Sequence, residues 1–536
     1  MLMIEHAPPT DEPTDRHAVR SLIARAGGAG RGGVRLAAGG GPESSCWQTF
    51  NKDRSGRLLA EVIIVGAGVG GLASALLYAR AGHTVTLLEH DPAPAATDVE
   101  AAFEAMRPGA PQAHQTHGFL ARLVIELRER LPDVFDDLIA AGCITLPTTI
   151  DLGEPQPGDE DLRVIIVRRT TLEWVIRTAA LAQGGVTFVH DVDVVGLLGQ
   201  PASEGEPARV TGVRTSAGER LADVVIAATG RRSTIVDWLA ELDVTVEETI
   251  HESGLMYLTR WYRLADANEV ELDPKAGGDL GYVKFMAVPG DGDTLSVTVA
   301  VRSDDREMRR ALLAPETFDA ACALLPGPDR YFADGPPEPL GGVRPMGGLL
   351  NRRRRFDDHG RPLVVGLHVV GDAHTCTNPL YGRGCALALV QAGLAVDAFT
   401  EHPGDPLARA EQYEEGTRRE IEPWFDSSVE MDKMGAERAD ADAAPTPEAK
   451  ALGAVFVAAA TDPILGRGMA RFWNLLSTWN ELMADPAFLA RMLEVMADPD
   501  AFPPPPRTGP TRDELLAAVA GDAPHDHSAL LEEIPT

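Results

Sequence analysis

Six consecutive residues, Gly66-Ala67-Gly68-Val69-Gly70-Gly71, form G-x-G-x-x-G between a β-branched apolar run and a helical pattern. Each glycine in this spacing has its own role. Gly66 permits a tight turn, Gly68 lets a pyrophosphate approach the backbone, and Gly71 lets helix and strand pack closely. The helix N-terminus then offers unpaired N–H groups and the positive end of its dipole to the phosphates. The dipole part is worth roughly 0.3–1 kcal/mol at exposed sites. Glu89 stands 23 residues after Gly66, where an acid hydrogen-bonds a ribose diol. The chemistry indicated is dinucleotide binding, with a plain glycine-rich turn as the alternative. At this point NAD and FAD are both open.

These residues need elements to hold them. The patterning predicts a strand over Val62–Val65, a helix over Val69–Ala81 and a strand over Thr84–Leu88, a βαβ beginning. Apolar residues at helical spacing follow in Thr116–Leu127. A strand, Val164–Val167, leads into a helix, Thr171–Ala182, and then come short strands at Val186–Val189, Val194–Leu198 and Val210–Val213. A further apolar strand, Val224–Ala228, precedes Thr229-Gly230. The runs Val244–Ile250, Leu255–Arg263, Leu280–Val288 and Thr294–Arg302 read as an inserted antiparallel sheet, a plausible substrate wall. Pro362–Val370 reads as one buried strand and Gly384–Phe399 as a helix. The expected class is α/β: a three-layer, Rossmann-like FAD/NAD(P)-binding domain with an inserted antiparallel β-sheet substrate domain and a helical C-terminal region. The expected limits are a flexible leader at 1–58 and a dinucleotide domain in two parts, 59–243 and 351–400. The insert is expected at 244–350, the helical region at 401–500 and a tail at 501–536.

Composition narrows the function classes. The 536 residues carry a net charge of −31, which repels phosphate backbones and makes nucleic acid a poor partner. A hydrophobic fraction of 44% is enough for a sizeable core. Five scattered cysteines (Cys46, Cys143, Cys322, Cys376, Cys385) argue against a disulfide framework or a cysteine-rich metal site, and no metal is expected. They fit a reducing, cytoplasmic setting. The N-terminus has no apolar signal core. The low-charge run Val62–Ala79 is better explained by strand, turn and helix than by a membrane span. From residue 401 onward, 26 acidic residues face 11 basic ones, read as a solvated acidic face. Phe472, Leu475, Leu476, Trp479, Leu482 and Met483 make an apolar stripe, expected to pack on the main body. The Arg352–Arg355 run reads as a solvated loop, since arginine outnumbers lysine 44 to 5 throughout the chain.

A second segment decides between the cofactors. Val369-Val370-Gly371-Asp372-Ala373 follows a buried strand, and Asn378-Pro379-Leu380-Tyr381-Gly382-Arg383-Gly384 precedes a helix. Here the chain resembles the FAD-dependent monooxygenases of the para-hydroxybenzoate hydroxylase type, in an actinobacterial branch that includes polyether-type epoxidases. The resemblance covers roughly residues 60–400. In that family a G-D-A segment followed by P-x-x-G-x-G closes the flavin site. The resemblance implies that Gly371 and Asp372 meet the ribityl chain, with Asp372 on a hydroxyl. It implies Pro379 beside the isoalloxazine, and backbone N–H groups of Gly382–Gly384 at the edge where reduced flavin gathers negative charge. Arg169-Thr170-Thr171-Leu172 matches the family's R-x-x-L, in which the arginine meets the cofactor; a surface arginine is the alternative. The loop from Arg107-Pro108-Gly109 to His117-Gly118 is implied to run beside the flavin. His117 is there either a cofactor contact or gate, or a helix-start histidine without chemistry. Ala228-Thr229-Gly230-Arg231-Arg232-Ser233 departs from the usual G-A-D-G and is closer to geranylgeranyl reductases and halogenases.

The expected cofactor is therefore FAD, with NAD(P)H as electron donor, directly or through a partner flavin reductase. The resemblance implies a monooxygenase that inserts one oxygen atom into an apolar or aromatic small molecule of secondary metabolism, by hydroxylation or epoxidation. The alternatives are a flavin-dependent reductase of the geranylgeranyl-reductase type and a protein using FAD as a scaffold. Tryptophan-type halogenation is disfavoured, because no lysine lies between Asp53 and Pro274 and no W-x-W exists. The flavin carries the difficult chemistry, so no catalytic side chain is singled out.

Overall fold

The computed structural model describes residues 51–52, 58–265, 276–439 and 446–520. Apart from residues 51–52 and 58, the expected leader lies outside them, as do Cys46, Lys275 and the end of the expected tail.

The chain enters its core at β1 (Glu61–Val65), whose four apolar residues are all buried. Helix α1 (Val69–Arg80) follows, then β2 (Thr84–Leu88). Helix α2 (Arg169–Ala182) leads to β3 (Val186–Val189), and β4 (Val224–Ala227) returns to the centre. The insert contributes β5 (Leu255–Arg263), β6 (Val283–Gly290), β7 (Thr294–Arg302) and β8 (Arg344–Met346). Then come β9 (Leu350–Arg355), β10 (Leu367–Val369) and the helices α3 (Gly384–Glu401) and α4 (Glu422–Ala439).

Strands β10-β4-β1-β2-β3 form one parallel sheet in that order. Its strands alternate between two layers. Val62 and Ile64 face a core shared with α1, α2 and α3, whereas Ile63 and Val65 face a second core. That second core is closed by an antiparallel sheet of Val194–Gln200, Ala208–Thr215 and Gly218–Leu221. Burial on both faces explains why these strands read as continuous apolar runs rather than alternating ones. Strands β5, β6 and β7 pair antiparallel in a separate six-stranded sheet, backed by the helices Arg306–Ala311 and Pro315–Cys322. Among the described residues, α3 is the single helix long and apolar enough to cross a membrane, and it is mostly buried. The helices Pro447–Ala458 and Pro463–Trp473 reach that test only if joined across a 98° bend.

Four local expectations change. The helix expected from Thr116 begins at Ala121 and runs to Arg130, because the Asn474 side chain caps the Ala121 N–H at 2.9 Å, and Gly118–Phe119 before it forms a short strand. The strand expected over Pro362–Val370 breaks at Gly366, whose φ is +79°. Its halves, Val364–Val365 and β10, join different sheets. The run Val244–Ile250 becomes a strand at Glu247–Glu252 that pairs with β9 and not with the insert sheet. The apolar stripe from Phe472 to Met483 is broken between Trp473 and Trp479, with Leu475 at φ +62°, although Phe472, Leu475 and Leu482 still share the main core.

The turn after β1 is the least forgiving point of this architecture. A Cβ at Gly66 would lie 2.4 Å from the Ala228 carbonyl oxygen, at a φ of +100°. Gly66→Ala is expected to lower the unfolding free energy by roughly 2–4 kcal/mol through strain and overpacking. Urea unfolding checks this, and an unchanged midpoint would contradict it.

Candidate functional site

Because the central strands are all parallel, the loops after β1, β2, β4 and β10 emerge on one edge. These loops carry Gly66–Gly70, Glu89, Thr229–Ser233 and Gly371–Ala373. They line one continuous cavity of about 1190 Å³ that also reaches Arg169, His117, Pro379 and the insert sheet.

The glycine loop leaves room where a ligand needs it. A Cβ at Gly71 would strike the Gly66 carbonyl oxygen at 1.8 Å, so helix and strand are in backbone contact. A Cβ at Gly68, by contrast, meets nothing within 4 Å. The first turn of α1 has no side-chain cap, which leaves its N–H groups open to the cavity. Glu89 accepts hydrogen bonds from the Ala67 N–H at 2.7 Å and the Asp91 N–H at 3.0 Å, so its carboxylate is fixed at the end of β2.

Asp372 lies on the cavity side of the Gly371–Ala373 turn. Its carboxylate accepts no hydrogen bond from the described residues, and burial raises its pKa against the pull of Arg169, Arg231 and Arg352. The residue is half-buried and lines the cavity, so this carboxylate keeps acceptor capacity for a ligand hydroxyl. Gly371 is turned by a φ of +68° and its N–H donates to Gln391 Oε1 at 2.8 Å. Gly382 has a φ of +66° and packs against the Gly118 carbonyl. Pro379 is exposed to the cavity, and Gly384 opens α3 with no side-chain cap.

Arg169 is a largely enclosed residue of the cavity wall, its side chain 12% exposed. Its Nε donates to Glu173 at 2.9 Å, and its charge acts on Asp372 and Cys385. Glu173 is clamped a second time by Arg107 at 2.5 Å. Burial by itself would raise this carboxyl, but Arg107 and Arg169 outweigh it and hold it at about 2. His117 donates from Nδ1 to the Gln115 carbonyl at 2.9 Å and stacks on Phe119. In the neutral ring that bond leaves Nε2 without a proton. Burial, with the Arg169 charge adding to it, pushes the imidazole down to about 4.

Several positioning residues carried little sequence signal. The arginines of β9 are not a solvated loop. Arg354 is buried and donates to the carbonyls of Ala373 and Ser233 at 2.9 and 3.0 Å, and to Glu248 at 2.7 Å. Arg352 donates to the carbonyls of Arg231 and Asp372. One strand thus ties the Thr229–Ser233 loop to the Gly371–Ala373 turn. From α4, Asp432 accepts from Tyr381 at 2.6 Å, from Asn378 at 2.8 Å and from Asn351 at 2.7 Å, bracing the Pro379–Gly384 loop. Arg168 is fully buried on Asp291 and Glu100. The one pairing readable in advance was Arg169 with Glu173, four residues apart on a helix.

The insert sheet supplies the far wall. Register places Met286, Thr298, Thr259 and Arg344 in one row and Lys284, Ala300, Tyr257 and Met346 in the next. Thr298 bonds Thr116 at 2.7 Å and Thr259 at 2.6 Å, and Thr259 donates to Gln115. This is a neutral hydrogen-bonding cluster set in a largely apolar chamber. Among the described residues, no group of His, Cys, Asp and Glu could hold a metal ion.

Comparison with known proteins agrees with this geometry. The family model described as FAD dependent oxidoreductase matches residues 61–163. The p-nitrophenol 4-monooxygenase PnpA of Pseudomonas putida DLL-E4 superposes with a TM-score of 0.55 at 17% identity, over 78% of this chain and 98% of that one. PqsL of Pseudomonas aeruginosa, described as a probable FAD-dependent monooxygenase, gives 0.52 at 17%, over 71% and 97%. The Diels-Alderase PyrE3 of pyrroindomycin biosynthesis gives 0.53 at 15%, over 78% and 80%. No curated protein matches the chain in sequence. The likeness shows the fold.

His117 makes the site sensitive to acid. Its folded pKa of about 4 lies below the ordinary 6.5, so the unfolded chain takes up the proton first. The protein therefore loses stability as pH falls from 6.5 to 4. His117→Gln is expected to make that part of the profile shallower, while His368 and His114, also held down by burial, keep the remaining slope. Urea unfolding at stepped pH checks it, and an unchanged slope would contradict it.

Proposed function

We propose that this chain is an FAD-dependent monooxygenase of the para-hydroxybenzoate hydroxylase type. It inserts one oxygen atom from O2 into an apolar or aromatic small molecule, by hydroxylation or epoxidation. The observation that carries this reading is the continuity of one cavity. It runs from the glycine loop and Glu89 past the donor-less Asp372 to His117, Pro379 and an apolar chamber. The first stretch suits a dinucleotide, and the last leaves room for a second molecule beside it.

The residues present fit FAD. Gly68 leaves space at the backbone for a pyrophosphate, and the first turn of α1 presents N–H groups to it. Glu89 suits the adenosine ribose, and Asp372, held from behind by Arg352 through its own carbonyl, suits a ribityl hydroxyl. Pro379, Gly382 and Gly384 offer the uncapped start of α3 to the isoalloxazine edge. Bound FAD would supply hydride acceptance and oxygen activation. The protein's own part is to orient the substrate on the Gln115, Thr116 and Thr298 cluster and to exclude water with apolar walls.

NAD(P)H is the proposed electron source, directly or through a partner flavin reductase, since the sequence offers no second strand–glycine loop–helix unit. The four described cysteines are unpaired and buried, which suits a reducing, cytoplasmic compartment. The fold shared with a Diels-Alderase supports a second reading, FAD as a scaffold. Oxygen uptake and label from O2 in the product separate the two. A flavin that stays oxidised throughout turnover would favour the scaffold.

Two variants test the cofactor site. Asp372→Ala is expected to purify with less than a tenth of the normal flavin, and Gly68→Val likewise, by filling the pyrophosphate space. The ratio of visible to ultraviolet absorbance reads this directly. Normal flavin content in both variants would overturn the assignment.

A further inference from the structure

The cavity has a neighbour at the insert sheet. A second chamber of about 530 Å³ adjoins it, and Asp279, Lys284, Ala300, Leu380 and Tyr381 line both. The two spaces therefore meet at these five residues, a boundary called the waist below. At this waist Lys284 of β6 stands opposite Asp279 of the neighbouring strand and is ion-paired with it, so the charges cancel locally.

The outer chamber adds residues that do not line the first cavity. Leu255 and Tyr282 come from the insert, Met431 and Met434 from α4, and Trp473 from the helix Pro463–Trp473. Trp473 and Leu380 keep 38% and 40% of their surface exposed, although both line this concave space. Apolar surface in a concave space suits an apolar ligand, and Arg302, Asp304 and Arg507 complete the same lining. Methionine pairs add adaptability rather than a single fixed shape. The inner chamber, by contrast, ends on the neutral hydroxyl and amide cluster of Gln115, Thr116 and Thr298.

We infer that the substrate is long and uncharged. An oxygen-bearing head binds at the Gln115–Thr116–Thr298 cluster, and an apolar tail passes the Lys284–Asp279 waist into the outer chamber. The assignment of head to the inner end rests on the monooxygenase reading, because the head must lie beside the flavin. The length of the ligand rests on the two chambers alone.

The probe is a series of para-alkylphenols from cresol to dodecylphenol, titrated calorimetrically into the full chain as purified. Affinity is expected to rise about 3- to 4-fold per added methylene until the outer chamber is full. Gly435 lines that chamber, and a Cβ there meets nothing within 4 Å. Gly435→Phe is expected to abolish the gain for the longer members while cresol binds both proteins alike. Gly435→Ala is expected to keep the length dependence, which separates filling from misfolding. Affinity independent of tail length, or long tails that bind the phenylalanine variant as tightly as the parent, would overturn the inference. Flavin content is read separately by absorbance. A colourless protein that still shows the length dependence would sink the flavoenzyme reading and leave this one standing.

Discussion

The structure depends on backbone contact between β1 and α1. Gly71 sits so close to the Gly66 carbonyl that no side chain fits between them, and this closeness aims the uncapped first turn of α1 at the cavity. Parallel pairing then repeats the geometry. Strands β10, β4, β1 and β2 all run the same way, so the loops that follow them gather on one edge of the sheet. Gly66 and Asp372, some 300 residues apart in sequence, face one cavity for that reason. Strand direction, rather than any contact between the two motifs, makes them neighbours.

Polar loops brought together in this way need to be held. Arginine does much of the holding. Arg354 and Arg352 cross-tie the Thr229–Ser233 and Gly371–Ala373 loops through carbonyl oxygens. Arg107 and Arg169 share Glu173 beneath the His117 loop. A planar guanidinium with five donors can bind several carbonyls at once, which a lysine ammonium cannot match in geometry. The arginine bias of the composition therefore has a structural use at this site. The same ties explain why Asp372 has a carboxylate left over: its neighbourhood is fixed through its main chain, and its side chain is free to serve a ligand.

Much of the candidate site was legible in the sequence where a residue's role is local. Gly66, Gly68 and Gly71 are fixed by a turn, a cradle and a close contact within six residues. Gly371, Asp372, Pro379, Gly382 and Gly384 belong to a comparable strand–turn–helix, and all reach the cavity. The failures fall where local pattern and tertiary demand conflict. Thr116–Leu127 carries helical spacing, yet the helix starts only at Ala121, where the side chain of Asn474, more than 350 residues away, accepts from the first N–H. Pro362–Val370 is apolar throughout, but Gly366 approaches the Val210 backbone and divides the run between two sheets. Arg352–Arg355 reads as a polar loop because nothing in the run announces that carbonyls will surround it.

By itself the sequence determined the parallel α/β core, the position of the glycine loop and the two segments that line the cavity. Each of these is set by side-chain period or backbone freedom over a few residues, and a short window contains that information. Only the tertiary structure decided which arginines hold the loops, that Asp432 of α4 braces the Pro379–Gly384 loop, and that a second chamber adjoins the cavity at Lys284. Those features depend on distances between groups far apart along the chain. No local pattern encodes such distances; they arise when the insert sheet and the C-terminal helices close around the same edge of the parallel sheet.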